Sequence, residues 1–341
     1  MESNLRPLTL GEILDRTAQL YRSNFPLFAG IFSVYCGVGL VLNLFLIGVD
    51  ELLRTLHFSG SKIALLNLSA GGFELLVLFL LFGAAVAAVS RSVAWVNLGE
   101  PATIRSAYAS ILPRLGRYLW LMTITAVIVW LPVALLYGSY FGVITFYVKG
   151  PGASAGAAAA RSLAANPHAM TILIIATVVF GLLLIPAGVY TVLMALRYAL
   201  ALPACVVEDL TARASLRRSI DLSKGSRGRI FVLGLLVGII KIGLALLSQM
   251  FFIVAVYKHH GQIPPALNAL SQLIAFFINT FVGPIYAAGI TLFYYDQRVR
   301  KEGFDIEWMM ETAGLTMPVP TSAPEPPDAS SAVPETGSFH E

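Results

Sequence analysis

Six long apolar runs, separated by shorter polar segments, dominate the sequence. The runs cover about residues 27–49, 73–96, 118–148, 170–196, 230–257 and 268–295. Each is long enough to cross a bilayer as a helix, which needs roughly 20 apolar residues. Pro132, Pro186 and Pro284 lie inside the third, fourth and sixth runs. Prolines are tolerated in spans where neighbouring helices satisfy the freed carbonyls, so the pattern predicts a packed bundle, with tilt or a kink in the long third span.

The stretch before the first run has the pattern of a short amphipathic helix. Thr9 and Glu12 have the spacing of a capping box. Pro26 is expected to disfavour helix at Phe25 and to allow a new helix to start. An ordinary helix on a soluble core has the same pattern, but an apolar run follows at once and favours an interfacial helix. The apolar side chains that share its predicted face are Leu10, Ile13, Leu14, Ala18 and Tyr21.

Similar amphipathic stretches precede the third and fifth runs, which suggests an internal repeat. The first of them places Ile104, Tyr108, Ile111 and Leu112 on one helical face. The second places Leu216 and Ile220 together and ends at Gly225, which is a natural C-cap. We interpret the chain as three units, each an interfacial helix followed by a transmembrane hairpin. The alternative is that any six-span protein with basic inner loops resembles this arrangement.

The composition supports lipid as the solvent of most of the chain. Hydrophobic residues make up 57% of the 341 residues and charged residues 12%. A soluble domain usually has about a quarter of its residues charged. Cys36 and Cys205 are too few for a disulfide framework and are expected to be reduced. Residues 1–26 show no cleavable signal peptide, since they combine acidic residues with an amphipathic pattern.

The positions of the basic residues predict an orientation. Most of the 23 Lys and Arg residues fall in the segments that lie on the same side as the N-terminus. Such a bias over short loops is the positive-inside signal, which places both termini in the cytoplasm. We therefore expect a six-span domain over residues 1–307 in the plasma (inner) membrane of a bacterium. Residues 308–341 are rich in Pro, Ser, Ala and Glu towards their end, and predict a disordered cytoplasmic tail.

Basic residues in the amphipathic stretches are candidate contacts for lipid headgroups. Arg213 and Arg217 repel each other at i,i+4 in an isolated helix, so an anionic partner such as lipid phosphate would favour this arrangement. The alternative is that these residues only follow the positive-inside rule. The complete set of candidates is Arg16, Arg22, Arg213, Arg217 and Arg218.

Lys241 is the most informative polar residue within a span. A central lysine costs about 2.5–3.5 kcal/mol on insertion scales, so it is expected to face a cavity or a partner. Asn279 and Gln249 are the candidate partners for this intramembrane polar site, together with Asn43 or freed backbone carbonyls. Lys241 is then an anion contact or part of a proton-coupled site. The alternative is a lysine that extends to the interface or packs between helices.

Catalytic chemistry has no signature in this sequence. The phosphate-binding loop, the nucleophile elbow and the paired-cysteine and zinc-protease spacings are all missing. His259 and His260 are adjacent, but adjacent loop histidines are usually solvated rather than metal ligands. The sequence therefore predicts no catalytic or metal site, no cofactor and no nucleic-acid partner.

Three stretches resemble a known family. RPLTLGEILDRTAQLYRSNFPLF, PACVVEDLTARASLRRSIDLSKG and YYDQRVRKEGFDIE are similar to the membrane domain of the bacterial glycerophosphoryl diester phosphodiesterase family, over about residues 5–307. The resemblance implies a six-span membrane domain. Some family members carry a fused phosphodiesterase barrel, whereas only a short predicted tail follows the last span here. The resemblance therefore implies no phosphodiesterase activity for this chain.

These observations predict an all-α, polytopic membrane protein with six transmembrane helices and cytoplasmic interfacial amphipathic helices. The preferred function is non-catalytic: the basic helices engage anionic membrane lipid or scaffold a protein partner at the cytoplasmic face. The alternative is a transporter of a small solute or lipid that uses Lys241 and the proline-broken spans.

Overall fold

The structure, a computed structural model, describes residues 8–57, 60–149, 167–258 and 265–302, and these contain helices and no strands. The predicted tail at 308–341, His259 and His260 lie outside the described residues. A 3₁₀ turn, Leu112–Arg114, joins α4 to α5. The helices are α1 Leu10–Ser23, α2 Phe25–Thr55, α3 Gly60–Asn97, α4 Ile104–Ile111, α5 Leu115–Lys149, α6 Pro167–Tyr198, α7 Ala201–Val207, α8 Ala212–Ser223, α9 Arg227–Lys258 and α10 Pro265–Glu302.

Six of these helices are long and apolar enough to cross a membrane: α2, α3, α5, α6, α9 and α10. The structure thus confirms the all-α polytopic prediction, and each helix extends beyond the apolar run that predicted it. The expectation that Phe25 would not be helical was wrong. Helix α2 begins at Phe25, with Pro26 at its second position. There the missing N–H of proline costs nothing, because the first N–H groups of a helix have no intrahelical acceptor.

Consecutive spans pack together as hairpins, α2 with α3, α5 with α6 and α9 with α10, and α10 also packs along α2. Three hairpins are what the predicted repeat requires. The contact between α10 and α2 depends on Gly283. A Cβ at this position would lie 2.5 Å from the Phe32 ring, so only glycine allows the two helices to approach this closely.

The four short helices all lie at one end of the bundle, which we call the junction end. Tyr108 of α4 donates to the carbonyl of Ile31 in α2 at 2.8 Å. Arg117 of α5 donates to Asp209, between α7 and α8, at 2.7 Å. The backbone N–H of Leu8, before α1, donates to a carboxylate in α10. The starts and ends of several membrane-spanning helices therefore lie together at the junction end, around a hydrophobic core that includes Phe28.

The predicted faces of the short helices were correct in part. The capping box of α1 is present, with the Glu12 N–H 3.3 Å from the Thr9 Oγ1. Its buried residues are Ile13 and Thr17, whereas Ala18 is exposed. Thr17 tolerates burial because its hydroxyl donates to the carbonyl of Ile13 at 2.7 Å.

Helix α4 also differs from the predicted face. Ile111 is buried, but Leu112 has 63% of its surface exposed and Ile104 37%. Helix α4 ends at Ile111, and Leu112 begins the 3₁₀ segment that follows. Leu112 therefore does not continue the face that Ile111 presents to the bundle.

In α8 the residues that pack against the bundle are mostly serines. Ser215, Ser219 and Ser223 are fully buried, whereas the predicted apolar pair, Leu216 and Ile220, is only half-buried. The short serine side chains let α8 approach its neighbours closely, and each serine hydroxyl bonds to a backbone carbonyl. Gly225 follows α8 with a φ of 80°, a left-handed conformation that suits glycine and agrees with its predicted capping role.

Candidate functional site

A buried carboxylate in α10 fixes the start of the described chain. The side chain of Asp296 has no exposed surface, and it lies between Arg300 at 2.9 Å and Arg229 at 3.4 Å. It also accepts from the N–H of Leu8 at 2.8 Å. Arg229 and Arg300 in turn donate to the carbonyl of Leu8. Both backbone groups of one residue are therefore held by side chains of α9 and α10.

A second contact fixes the other end of α1. The hydroxyl of Tyr21 donates to the carbonyl of Phe281 in α10 at 2.7 Å. Burial raises the pKa of Tyr21 to about 12, so the hydroxyl stays protonated and available as a donor at neutral pH. Helix α1 is thus attached to α10 at both of its ends, and its exposed face has a fixed orientation.

An ion-pair cluster links α8 to α10. Both carboxylate oxygens of Glu208 bond to the Nε of Arg218, at 2.9 and 3.0 Å, and Glu302 accepts from Arg218 at 2.7 Å. Arg298 lies 3.3 Å from Glu302, and the hydroxyl of Tyr294 donates to Glu208. Burial alone would lower the pKa of Arg218, but hydrogen bonds and charges of both carboxylates raise it overall. Arg218 is therefore a permanently charged bridge.

Asp209 joins the loop after α7 to the start of α5. Its carboxylate lies 2.8 Å from Arg114 and 2.7 Å from Arg117. The residue has a φ of 57°, which aspartate tolerates better than most side chains. In this conformation its carbonyl also accepts from Arg117, at 2.9 Å.

Polar side chains close the ends of α6 and α8. Ser219 and Ser223 donate to the carbonyl of Arg197 at 2.9 and 3.3 Å, in the last turn of α6. Lys301 donates to the carbonyls of Asp221 and Lys224 at 2.6 and 2.8 Å. Carbonyls at a helix end have no intrahelical donor, so these bonds stabilise both termini.

The predicted headgroup residues divide into two groups. Four are exposed, and none of the four forms an ion pair with a carboxylate in the described part of the chain: Arg16, Arg22, Arg213 and Arg217. The fifth, Arg218, is half-buried and bonded to Glu208 and Glu302. The sequence showed that these residues are basic, but not which of them face inward.

The predicted intramembrane residues do not form one site. Lys241 and Gln249 have exposed side chains on α9. Asn279 of α10 donates to the carbonyl of Ala275 in its own helix at 2.8 Å. Asn43, the further partner considered for Lys241, instead donates to Glu74.

Asn279 and Asn43 do line a common cleft between α2, α3 and α10, with a volume of about 170 Å³. Gln272 and Cys36 also line it, and Glu74 bonds to Asn43 beside it. Glu74 is not among the residues predicted from the sequence. An isolated acid at the edge of an apolar run was the available signal.

No group of three or more His, Cys, Asp or Glu side chains within the described ranges is arranged to hold a metal ion. Cys36 and Cys205 are both buried free thiols. The chemistry that the described residues bring together is therefore ionic and hydrogen-bonding, and it is concentrated at the junction end.

Comparisons with protein-family models, with characterised proteins and with solved structures gave no match to this chain. The resemblance to the phosphodiesterase membrane-domain family stays a prediction.

Proposed function

We propose that this protein is a multi-pass protein of the bacterial plasma membrane whose junction end engages anionic lipid on the cytoplasmic side. Both termini are then cytoplasmic, as the distribution of basic residues predicts. The proposal involves no catalytic step. A scaffolding role for a protein partner at the same surface is compatible with it.

The observation that carries the proposal is the division of the arginines into inward and outward groups. Carboxylates at the junction end are engaged by Arg114, Arg117, Arg218, Arg229, Arg298 and Arg300. The four exposed arginines defined above remain available at the surface. Each basic residue near an anionic leaflet contributes about 1 kcal/mol of attraction.

The orientation of these residues supports the same proposal. Helices α1 and α8 are bonded to α10 through Asp296 and Glu302 respectively, so their exposed arginines lie on helices that are attached to the bundle. Arg213 and Arg217 are one turn apart in α8 and both exposed. The repulsion between two adjacent like charges is reduced when one anion contacts both of them.

The double variant Arg213→Ala plus Arg217→Ala tests this proposal. We expect the purified variant to retain several-fold less phosphatidylglycerol than the wild type, because two charge contacts of about 1 kcal/mol each are removed. Lipid that co-purifies in a mild detergent is measured by mass spectrometry. The matched control is Arg213→Lys plus Arg217→Lys, which keeps both charges and should retain the lipid. Equal lipid content in the alanine variant and the wild type would reject the proposal.

The cleft between α2, α3 and α10 favours a transporter as the second candidate. A carboxylate such as Glu74 is rare within a span and usually marks an ion or substrate pathway. Here it lies beside a cleft lined by the amides of Asn43, Gln272 and Asn279. Such a site suits a proton or a small polar solute.

The test of this alternative uses the proton as its probe. Vesicles containing the wild-type protein should acidify faster than empty vesicles after a pH jump, and Glu74→Gln should remove most of the difference because it removes the carboxylate beside the cleft. A pH-sensitive dye inside the vesicles reports the flux. Glu51→Gln is the matched control, since it makes the same change of a carboxylate to an amide at an exposed position of α2 that does not line the cleft. Wild-type vesicles that behave like empty ones would eliminate a proton pathway through the cleft.

A further inference from the structure

An apolar groove runs along the outside of the bundle between α6 and α9. It has a volume of about 320 Å³ and is lined by Leu196 of α6, by Ile230, Gly234 and Gly238 of α9, and by Tyr286 of α10 among others. Its walls are almost entirely apolar side chains. A groove of this kind on a membrane-spanning surface suits an acyl chain.

Two glycines account for the depth of the groove. A Cβ at Gly238 would have no atom within 4 Å, and at Gly234 the nearest atom would be 3.7 Å away, on Tyr286. These glycines are therefore not required for close packing of helices. Because they lie one turn apart on α9, they leave a continuous trough where larger side chains would fill the space.

Two arginines neighbour in sequence the residues that line the end of the groove nearest the junction end. Arg197 directly follows Leu196 in the last turn of α6, and Arg227 lies one turn before Ile230 at the start of α9. The Nε atoms of both arginines are buried and have no hydrogen-bond partner among the described residues. A buried donor left unpaired is costly, and more so when it is charged. The Nε of Arg91 in α3 is also buried and unpaired, so this observation favours an anionic acceptor beside the groove only together with the ion-pair pattern described next.

Neither guanidinium forms an ion pair with any carboxylate of the described chain. The backbone of Arg197 is held by Ser219 of α8, and its guanidinium lies 5.9 Å from the centre of the Tyr198 ring. The arginine is thus positioned without being neutralised. In contrast, Arg218 and Arg229 at the same end are paired with acids.

We propose that the groove binds one phospholipid with a net anionic headgroup. Arg197 and Arg227 contact its phosphate, and one acyl chain lies along Gly234 and Gly238. Charge complementarity selects this occupant over an apolar helix of a second copy, which would fill the trough but leave both arginines without an anion. The inference rests on the proposed lipid engagement, but its residues are distinct from the exposed arginines of α1 and α8.

Native mass spectrometry of the full chain in mild detergent, titrated with phosphatidylglycerol, tests the proposal. The wild type should hold one lipid more tightly than any others. Arg197→Gln plus Arg227→Gln should weaken that binding by about tenfold or more, since two charged hydrogen bonds are lost. Gly238→Leu should weaken it similarly without changing any charge, because leucine enters the open trough. Arg197→Lys plus Arg227→Lys keeps both charges and should preserve most of the binding, which separates loss of charge from loss of fold.

The variants also separate this proposal from the general one. If the groove variants lose the tight lipid and Arg213→Ala plus Arg217→Ala does not, the groove proposal is supported and the headgroup role of the exposed arginines is rejected. If only Arg213→Ala plus Arg217→Ala loses lipid, the groove inference is overturned while the proposed function stands. Binding of phosphatidylcholine as tightly as phosphatidylglycerol would overturn the role of the arginines. A dimer that Gly238→Leu abolishes would show that a second copy occupies the groove, which also overturns the proposal.

Discussion

Replacement of Asp296 with alanine is expected to lower the free energy of unfolding by about 3 kcal/mol. Removal of one partner from a buried ion pair typically costs about 3–5 kcal/mol, because the remaining charge stays desolvated. Asp296 itself is fully buried, but Arg229 and Arg300 are 28% and 33% exposed, so water relieves part of the cost. The N–H of Leu8 also loses its acceptor. Thermal or denaturant unfolding in detergent measures the change.

The matched control for Asp296→Ala is Asp221→Ala. Asp221 also pairs with a basic residue at the junction end, Lys224 at 3.0 Å, but both side chains are about two-thirds exposed. Exposed pairs contribute below about 1 kcal/mol, so this variant should unfold nearly as the wild type does. A similar loss in the two variants would contradict the assignment of Asp296 as the residue that holds α1 in place. Faster proteolysis before Leu10 in Asp296→Ala would support that assignment.

Arg217 and Arg218 are neighbours in the sequence, but their replacement by alanine is expected to change the free energy of unfolding by very different amounts. Arg218→Ala should destabilise the protein by about 2 kcal/mol, because Glu208 and Glu302, which are only 16% and 27% exposed, lose one of the two arginines that they share and keep only Arg298. Arg217→Ala should change stability by less than about 0.5 kcal/mol, since its side chain is exposed. Unfolding in detergent separates the two variants.

The rescue variant for this pair is Arg218→Lys. Lysine keeps the charge but cannot present the Nε and both terminal nitrogens to two carboxylates, so only part of the stability should return. Full stability in Arg218→Lys would show that charge alone matters. A destabilised Arg217→Ala with an unchanged Arg218→Ala would invalidate the inward and outward assignment.

The sequence was sufficient for features that depend on local chemistry. Apolar runs of spanning length gave the six long helices, and the spacing of Thr9 and Glu12 gave the capping box of α1. Gly225 was recognised as a helix end because a left-handed residue there is most often glycine. Each of these depends on residues within a few positions of one another, which is why a single sequence reveals them.

The contacts that shape the junction end are of another kind. Asp296 bonds to Leu8, and Glu302 bonds to Arg218 from a different helix. Hydrophobic periodicity predicts which residues avoid water, but it does not say which acid finds which base across the bundle. For the same reason the buried serines of α8 were missed, because serine on an amphipathic helix is normally assigned to the solvated face.

The bond between the start and the end of the described chain has a topological consequence. Arg300 donates to the carbonyl of Leu8, so the described chain begins and ends at the same end of the bundle. A path that returns to the side on which it began crosses the bilayer an even number of times. This parity follows from a single contact, without reference to charge or hydropathy, and it agrees with six crossings. It also brings α10, the last helix of the described residues, back against α1 and α2, where the described residues begin.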